Sequence, residues 1–510
     1  MPGIAAADLF TDPLLLGLHE LDLEDVYKRL DKEISWLQER LCSLRTLRNS
    51  LPPIAKIPAE ILSKIFSELQ EPIRTSLLDD VDVRSRFYIS WVCRHWRRTA
   101  LGTPSLWTII SKQNRNSPID VDIARDLLAR SHNFNISIHL SQPTRDMLTV
   151  LTSHMHRTEH LRMSNVPTSM ESDELLSQPA PMLASLDLDN THIPSNLVFT
   201  GALPQLCRLS VADMDFLTPS PLVTPTLTSL RMVRIEDGID VSYLLGVLPS
   251  LQNLRELALI QALYDQHVAI PTERMLHPCL ESLTLSDHLN WSTYLGLLNC
   301  LDIPQTDITL VWTENLECER DSVRNFLSYL KTYLAGLAFP IRYIKAERKF
   351  PEFTINVAST GSQHRYSFQF PKAMEKEWTD EFVDYAFPLD SLGHLETLSM
   401  TEFPLYAAWV LRWLPNVRNV TLFGLSTLTD FLPAFRLDLE VMHSEKISFP
   451  AVKELTISKV SGSLYVESLL KALVIRYEMK MGLHRLAFVG CEDVDVDIFK
   501  SVVDIVSLED

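Results

Sequence analysis

Glycine is scarce in this sequence, with 14 residues in 510. None of the motifs G-x-x-x-x-G-K-[ST], G-x-G-x-x-G and G-x-S-x-G is present. These motifs need glycine because the backbone must approach a phosphate closely or turn sharply before a nucleophile. The sequence therefore supports neither a nucleotide-binding loop nor the nucleophile elbow of a serine hydrolase.

Cysteine is also sparse, and its spacing does not indicate a disulfide framework. The seven cysteines are scattered, odd in number and never spaced as C-x-x-C. This arrangement argues against a disulfide scaffold or a cysteine zinc site and favours a reducing compartment. The first ten residues lack the basic region of a secretory leader, so no leader is expected. The expected location is the cytoplasm, the nucleus or both.

Basic charge and long apolar runs are lacking as well. The chain has 47 Lys and Arg against 65 Asp and Glu, a net charge of −18, and no run approaches 18 apolar residues. A chain of this charge is a poor ligand for nucleic acid or anionic membranes, and no membrane span is expected. Nearly all of this net charge, −17, lies in residues 111–510, which indicates a separately built acidic C-terminal body.

Two clusters have residue types that can bind metals, but neither has the spacing of a known site. His156 and His160 could share a helix face, yet the H-E-x-x-H arrangement is missing. The acidic run 493–497 lacks the glycine turn and terminal glutamate of a calcium loop. We read both as solvated segments and the arginines of residues 84–98 as a solvated or acid-pairing face. No catalytic residue, metal or cofactor is predicted.

A heptad pattern runs through residues 23–51. Apolar residues recur at alternating spacings of four and three, which is the a/d pattern of a coiled coil, until Pro52 and Pro53 end the helix. Two interpretations stay open: a coiled coil with a second copy or a partner, or a single helix packed against its own next domain. The apolar positions are Leu23, Tyr27, Leu30, Ile34, Leu37, Leu41, Leu44 and Leu51, with Arg48 in the remaining slot.

Residues 54–110 have the pattern of a compact helical unit. Pro58 sits at the first position of a helix in which apolar residues follow at helical spacing. After a polar stretch come the tryptophan-rich block 91–100 and the block Pro104-Ser105-Leu106-Trp107. Three tryptophans within 17 residues exceed what a core of this size needs, so the unit is expected to bind a partner through an apolar surface.

The three blocks together resemble the F-box, in the form found in proteins of mushroom-forming fungi. The matched segments are Ile57 to Phe66, Val92 to Ala100 and Pro104 to Trp107, and the spacer of about 24 residues after Phe66 is longer than in compact F-boxes. The resemblance implies docking to an SKP-family adaptor and, through it, to a cullin–RING assembly. The residues implied to form or support the adaptor-facing surface are Ile57, Pro58, Ile61, Leu62, Ile65, Phe66, Val92, Trp96, Leu106 and Trp107.

A leucine-rich unit repeats from residue 181 onward. Its pattern is Leu-x-x-Leu-x-Leu or a close variant after a proline, and the first five units are 23, 21, 27 and 26 residues apart. That spacing is typical of leucine-rich repeats, whose units must stack because none can bury its apolar edge alone. The nine units begin at Leu183, Leu206, Leu227, Leu254, Leu280, Leu395, Val417, Val452 and Leu483. Residues 300–390 lack a clear unit, and residues 353–357 and 366–370 are predicted to form an inserted β-hairpin.

The predicted substrate site lies between the repeated leucines. In such repeats the leucines point inward, so the intervening residues line the face formed by the strands. Arg208 and Arg231 are predicted to be adjacent on neighbouring strands, where they could grip a carboxylate or a phosphate. In the alternative, both arginines pair with Asp187 and Asp189 on the next strand.

The predicted fold class is α+β and multidomain. It comprises an N-terminal lead and heptad helix (1–53), a small all-α F-box (54–110), and an irregular α/β leucine-rich-repeat solenoid (111–510) with an insertion around 300–390. The predicted function is that of a non-catalytic substrate receptor in an SKP–cullin–F-box ubiquitin ligase. The alternative is a scaffold or targeting protein that binds the adaptor without a cullin.

Overall fold

The structure is a computed structural model in which the chain divides into two compact units, Met1–Leu140 and Ser141–Asp510. The described residues are 22–68, 85–112, 121–191, 199, 203–214, 221–264, 275–277, 279–287, 291–303, 306–312, 328, 343–349, 352–358, 365–371, 393–401, 415–435, 449–461, 464–492 and 494–509.

Within its described residues, the first unit combines five helices with two strands. Helix α1 has neither glycine nor proline, and Glu24 and Asp25 in its first turn oppose the helix dipole. Strands β1 and β2 pair in parallel, with Ile109 opposite Ser137. The elements are α1 (Leu23–Ser50), α2 (Ala59–Glu68), α3 (Ser85–Trp91), α4 (Arg94–Leu101), β1 (Ile109–Lys112), α5 (Val121–Arg130) and β2 (Ile136–Ser141), with 3-10 turns at Pro53–Lys56 and Pro104–Trp107.

The core of this unit is built around aromatic side chains. Phe66 of α2 packs against Trp96 of α4, with ring centroids 5.3 Å apart. Leu62, Leu106 and Trp107 are buried with it. This arrangement holds α2, α4 and the 3-10 turn at Pro104–Trp107 together in one body.

The second unit is built on a mainly parallel sheet whose strands are connected by helices and loops. Its helices are α6 (Arg145–Thr152), α7 (Met170–Leu176), α8 (Val241–Val247), α9 (Trp291–Cys300), α10 (Leu425–Phe435) and α11 (Leu464–Glu478). Its strands are β3 (Thr158–Val166), β4 (Ser185–Thr191), β5 (Arg208–Met214), β6 (Ser229–Ile235), β7 (Glu256–Ile260), β8 (Met275–Leu276), β9 (Ser282–Asp287), β10 (Leu301–Asp302), β11 (Asp307–Trp312), β12 (Tyr343–Lys349), β13 (Glu352–Ala358), β14 (Arg365–Pro371), β15 (Thr397–Thr401), β16 (Asn419–Phe423), β17 (Glu454–Ser458), β18 (Arg485–Val489) and β19 (Ile505–Glu509).

The repeated leucines set the register of this sheet. Strands β3 to β7, β9 and β11 are consecutive parallel neighbours, and Leu186, Leu209, Leu230 and Leu257 face one another across four of them. These leucines are buried. Strands β15 to β19 repeat the same pairing. A repeat of 21–27 residues leaves room for one strand and the long crossover that parallel neighbours require.

A left-handed residue recurs at one position of the repeat. Asn190, Asp213 and Arg234 each lie two residues after the last leucine-type position of their unit and have φ of 45–49°. Few side chains tolerate this conformation, which interrupts the extended backbone one residue before the end of β4, β5 and β6. Gln142 and Asn165 have the same conformation at the same position, two residues after Leu140 and Met163. They identify two further units that the leucine pattern did not reveal.

The predicted fold class is wrong, because the structure is an α/β fold built on parallel sheets. The first compact unit extends beyond the predicted all-α F-box (54–110), since it also contains the parallel pair β1 and β2. The second unit is not an irregular solenoid, since strands β3 to β7, β9 and β11 pair in continuous parallel register. The leucine motif locates each strand, but hydrogen bonding between strands that are distant in sequence decides how far the sheet extends.

The predicted hairpin is confirmed, and it belongs to the sheet. Strands β13 and β14 pair antiparallel, with Ile355 opposite Phe368. On one side β14 pairs in parallel with β11, and on the other β12 pairs in parallel with β15. The inserted strands therefore connect the two sets of leucine-rich strands. Strands β8 and β10 form a separate two-stranded parallel sheet.

Candidate protein-binding surfaces

The structure divides the predicted adaptor-facing residues into a core set and a surface set. Leu62, Phe66, Leu106 and Trp107 are at most 1% exposed and form the core. Ile57 and Trp96 are half-buried. The exposed members are Pro58, Ile61, Ile65 and Val92.

Helix α2 carries an apolar stripe on each of two sides. Leu62 and Phe66 are one turn apart and face the core, whereas Ile61 and Ile65, also one turn apart, are 51% and 43% exposed. Pro58 precedes the helix three residues before Ile61, which places it at the N-terminal end of the exposed stripe. A surface helix of a soluble protein normally has one apolar stripe, so the second one indicates a partner.

The corner between α3 and α4 adds further exposed apolar groups. Tyr88 and Trp91 meet edge to face at 5.5 Å, and both side chains and Val92 are more than half exposed. The sulfur of Cys93 accepts a hydrogen bond from the backbone N–H of Trp96, which caps α4 and fixes the corner. Sequence reasoning left Tyr88 and Trp91 out of the predicted site. Their i, i+3 spacing was the available signal.

One side-chain contact ties this corner to the segment before α2. The Nε2 atom of His95 lies 3.0 Å from the carbonyl oxygen of Ile57. The hydroxyls of Ser63 and Thr103 are 2.8 Å apart and join α2 to the segment after α4. The exposed stripe of α2 and the corner therefore belong to one packed body.

The second candidate surface is the open face of the parallel sheet. Along β4 the leucines are buried, while Ser185, Asp187 and Asp189 on the other face are half-buried. Arg208 lies opposite Ser229 and Arg231 lies opposite Ser210. The two arginines are therefore diagonal neighbours on the same face, offset by two residues. Both are exposed, and neither side chain has a hydrogen-bond or ion-pair partner within the part of the chain that the structure describes.

Both predicted aspartates have partners other than these arginines. Asp187 pairs with Arg162 of β3, whose Nε atom lies 3.2 Å from a carboxylate oxygen. Asp189 lies beside Asp213, which accepts two hydrogen bonds from Arg234. The alternative in which Arg208 and Arg231 pair with Asp187 and Asp189 is therefore not what the structure shows.

The carboxyl pKa values follow from these neighbours. Burial raises the pKa of Asp189, and the negative charge of Asp213 raises it further. The hydrogen bonds from Arg234 lower the pKa of Asp213. Asp213 therefore keeps its negative charge and leaves Asp189 as the weaker acid of the pair.

A single row of polar residues crosses four strands of this face. Arg162, Asp187, Ser210 and Arg231 occupy one register on β3, β4, β5 and β6. Since neighbouring strands are about 4.8 Å apart, Arg231 is roughly 10 Å from Asp187. Sequence reasoning missed Arg162 because its unit has Thr158 and Met163 in place of leucines. The row combines a paired arginine with an unpaired one, so it can accept an acidic group from a partner.

The described residues contain no group of three or more histidine, cysteine or acidic side chains arranged to hold a metal. His156 lies in the 3-10 turn Met155–Arg157 and His160 lies in β3, so the two do not share a helix face. No helix in the described part of the chain is long and apolar enough to cross a membrane.

Comparison with known proteins adds no family assignment. No protein-family model and no curated protein matches this chain.

Proposed function

We propose that the chain is the substrate-recognition subunit of an SKP–cullin–F-box ubiquitin ligase. Residues 57–107 would dock an SKP-family adaptor, and the open face of the sheet would hold a protein substrate. The chain would catalyse nothing itself. It would raise the local concentration of the substrate near a ubiquitin-charged enzyme that other subunits supply.

One observation carries the adaptor part of this proposal. The stretch with the three F-box-like blocks buries one set of apolar side chains and leaves Pro58, Ile61, Ile65 and Val92 on the surface. Scattered exposed apolar residues are normal, but Ile61 and Ile65 form a stripe on a helix that is already anchored by Leu62 and Phe66. The proposed adaptor covers this stripe and removes its apolar area from water.

The substrate part rests on the charge of the sheet face. Two exposed arginines, neither of which has a partner among the described residues, lie diagonally on neighbouring strands of an otherwise acidic body. Guanidinium groups bind carboxylates and phosphates through paired hydrogen bonds. We therefore expect the bound segment of the substrate to carry acidic or phosphorylated side chains.

The test is co-purification of the full-length chain with an SKP-family adaptor and a cullin. The variant Pro58→Ala with Ile65→Ala is expected to lose the adaptor, because it removes apolar area from the exposed stripe but leaves the core intact. Ile505→Ala is the control, since Ile505 has a similar exposure of 47% but lies on β19. Undiminished adaptor binding by the double variant would contradict the proposal. Recovery of the adaptor without a cullin would favour the non-ligase scaffold.

A further inference from the structure

Helix α1 presents an apolar seam to solvent along its length. Ile34, Leu37, Leu41 and Leu44 occupy successive seam positions and are each 47–51% exposed. Tyr27, the seam residue that precedes Leu30, is more exposed still, at 64%. These side chains keep about half of their surface in water, so they are not buried by the chain that carries them.

The opposite side of α1 lies beside other elements of the first unit. Cys42, Thr46 and Asn49 line a groove of about 480 Å³ together with residues of the α3–α4 corner, among them Trp91 and His95. In the heptad these three residues of α1 occupy b and f positions, on the side away from the a/d seam. The structure therefore favours a coiled coil over a single helix whose seam packs against its own next domain.

We propose that two copies of this chain associate through α1 as an antiparallel coiled coil. In the heptad, Tyr27, Ile34 and Leu41 are a positions, and Leu30, Leu37 and Leu44 are d positions. An antiparallel pair brings each a residue against a d residue of the other copy. The two-fold axis of this pair passes between residues 35 and 36 of each helix. Tyr27 then packs against Leu44 of the second copy, Leu30 against Leu41 and Ile34 against Leu37, and the symmetry repeats each contact.

The charges flanking the seam select this direction. In the antiparallel pair Glu33 faces Arg40 of the second copy, and Glu24, which also pairs with Lys28 on its own helix, faces Arg45. A parallel pair instead brings Arg40 against Arg45 and places Arg48 against its own copy inside the seam. Like charges across a coiled coil are destabilising, so the flanking charges favour the antiparallel arrangement.

The length of the overlap suits a stable pair. In this alignment residues 23–48 overlap, which is about 39 Å of helix and more than three heptads. Val26 faces Leu47 of the second copy at both ends, which extends the apolar contact. Leu47 is 61% exposed in the single chain, and Arg48 is the last residue of the overlap, where it does not meet its own copy.

Sedimentation equilibrium of the full-length chain at micromolar concentration tests the association. The expected mass is twice 58.2 kDa. The variant Leu37→Asp with Leu41→Asp should return the mass of one chain, because it places charges in the seam without touching the core of the first unit. A single-chain mass for the unmodified protein would overturn the proposal.

A charge reversal tests the direction. Arg40→Glu places two pairs of glutamates against each other in the antiparallel dimer, so its dissociation constant should rise about tenfold. In a parallel dimer the same change replaces an arginine pair with a Glu–Arg pair and should strengthen association, which would overturn the antiparallel assignment. Glu33→Arg combined with Arg40→Glu should restore the original affinity. Arg29→Glu, an equal charge change at a c position outside the seam, is the control.

Discussion

The indole nitrogen of Trp107 donates a hydrogen bond to the carbonyl oxygen of Ala100 at a distance of 2.8 Å, and both residues are fully buried. The guanidinium of Arg130 lies over the same indole, 5.0 Å from the ring centroid. Trp107 thus links the 3-10 turn at Pro104–Trp107 to α4 and α5. Its role is to hold the first unit together rather than to touch a partner.

Trp107→Phe should therefore destabilise the first unit and spare its surface. The loss of one buried hydrogen bond and of part of a large side chain should lower the free energy of unfolding by about 2 kcal/mol. Thermal unfolding of the full-length chain measures this effect. Trp91→Phe is the matched control, because Trp91 is 66% exposed, and it should leave the unfolding temperature unchanged. Equal unfolding temperatures for the two variants would contradict this role of Trp107.

Reversing both unpaired arginines should weaken substrate capture. The variant Arg208→Glu with Arg231→Glu should recover fewer proteins from cells with the proteasome inhibited, while adaptor binding is retained. Arg418→Glu with Lys453→Glu changes the charge equally, and both control residues are exposed just before β16 and β17, outside the face. Unchanged capture by the first variant would place the substrate site elsewhere, with residues 300–390 as the next region to test.

The neighbouring carboxyl groups of Asp189 and Asp213, near the ends of β4 and β5, should make the stability of the fold depend on pH. Because the folded state raises the pKa of Asp189, ionised Asp189 destabilises the fold above that pKa, and the penalty is relieved as the pH falls through it. Asp189→Asn should thus raise stability at neutral pH and have less effect near pH ~3, below the ordinary aspartate pKa. Urea unfolding at the two pH values measures this difference. Asp187→Asn should instead lower stability at neutral pH, because it removes the ion pair with Arg162.

The hydroxyl group of Tyr294 is expected to stabilise the fold. Its buried hydroxyl oxygen accepts hydrogen bonds from the backbone N–H groups of Ala262 and Leu263, at 2.7 and 3.2 Å. Tyr294→Phe leaves these buried donors without that acceptor and should lower the free energy of unfolding by roughly 2–3 kcal/mol. Tyr264→Phe is the control, since Tyr264 is 51% exposed. Urea unfolding compares the two, and equal stability would contradict the assignment.

The leucine spacing predicted the strand positions well because burial of one strand face imposes it directly. Leu186 and Leu209 had to point inward, and the structure places them opposite each other. The arginine pair was harder to predict, because the partner of Asp187 depends on which strand lies beside β4. Arg162 lies on a strand whose unit has Thr158 and Met163 where the motif has leucines, so the pattern did not reveal it.

The sequence by itself identified the heptad helix, the repeated leucines and the three F-box-like blocks. Each of these patterns is local, because it spans only a few helical turns or a single strand. Only the tertiary structure decided that Leu62 faces inward while Ile61 faces outward, and that the seam of α1 stays exposed. It also decided that the leucine-rich strands pair in parallel and that an inserted antiparallel hairpin joins their two sets. These outcomes depend on packing between segments that are distant in sequence, which spacing along a single chain does not encode.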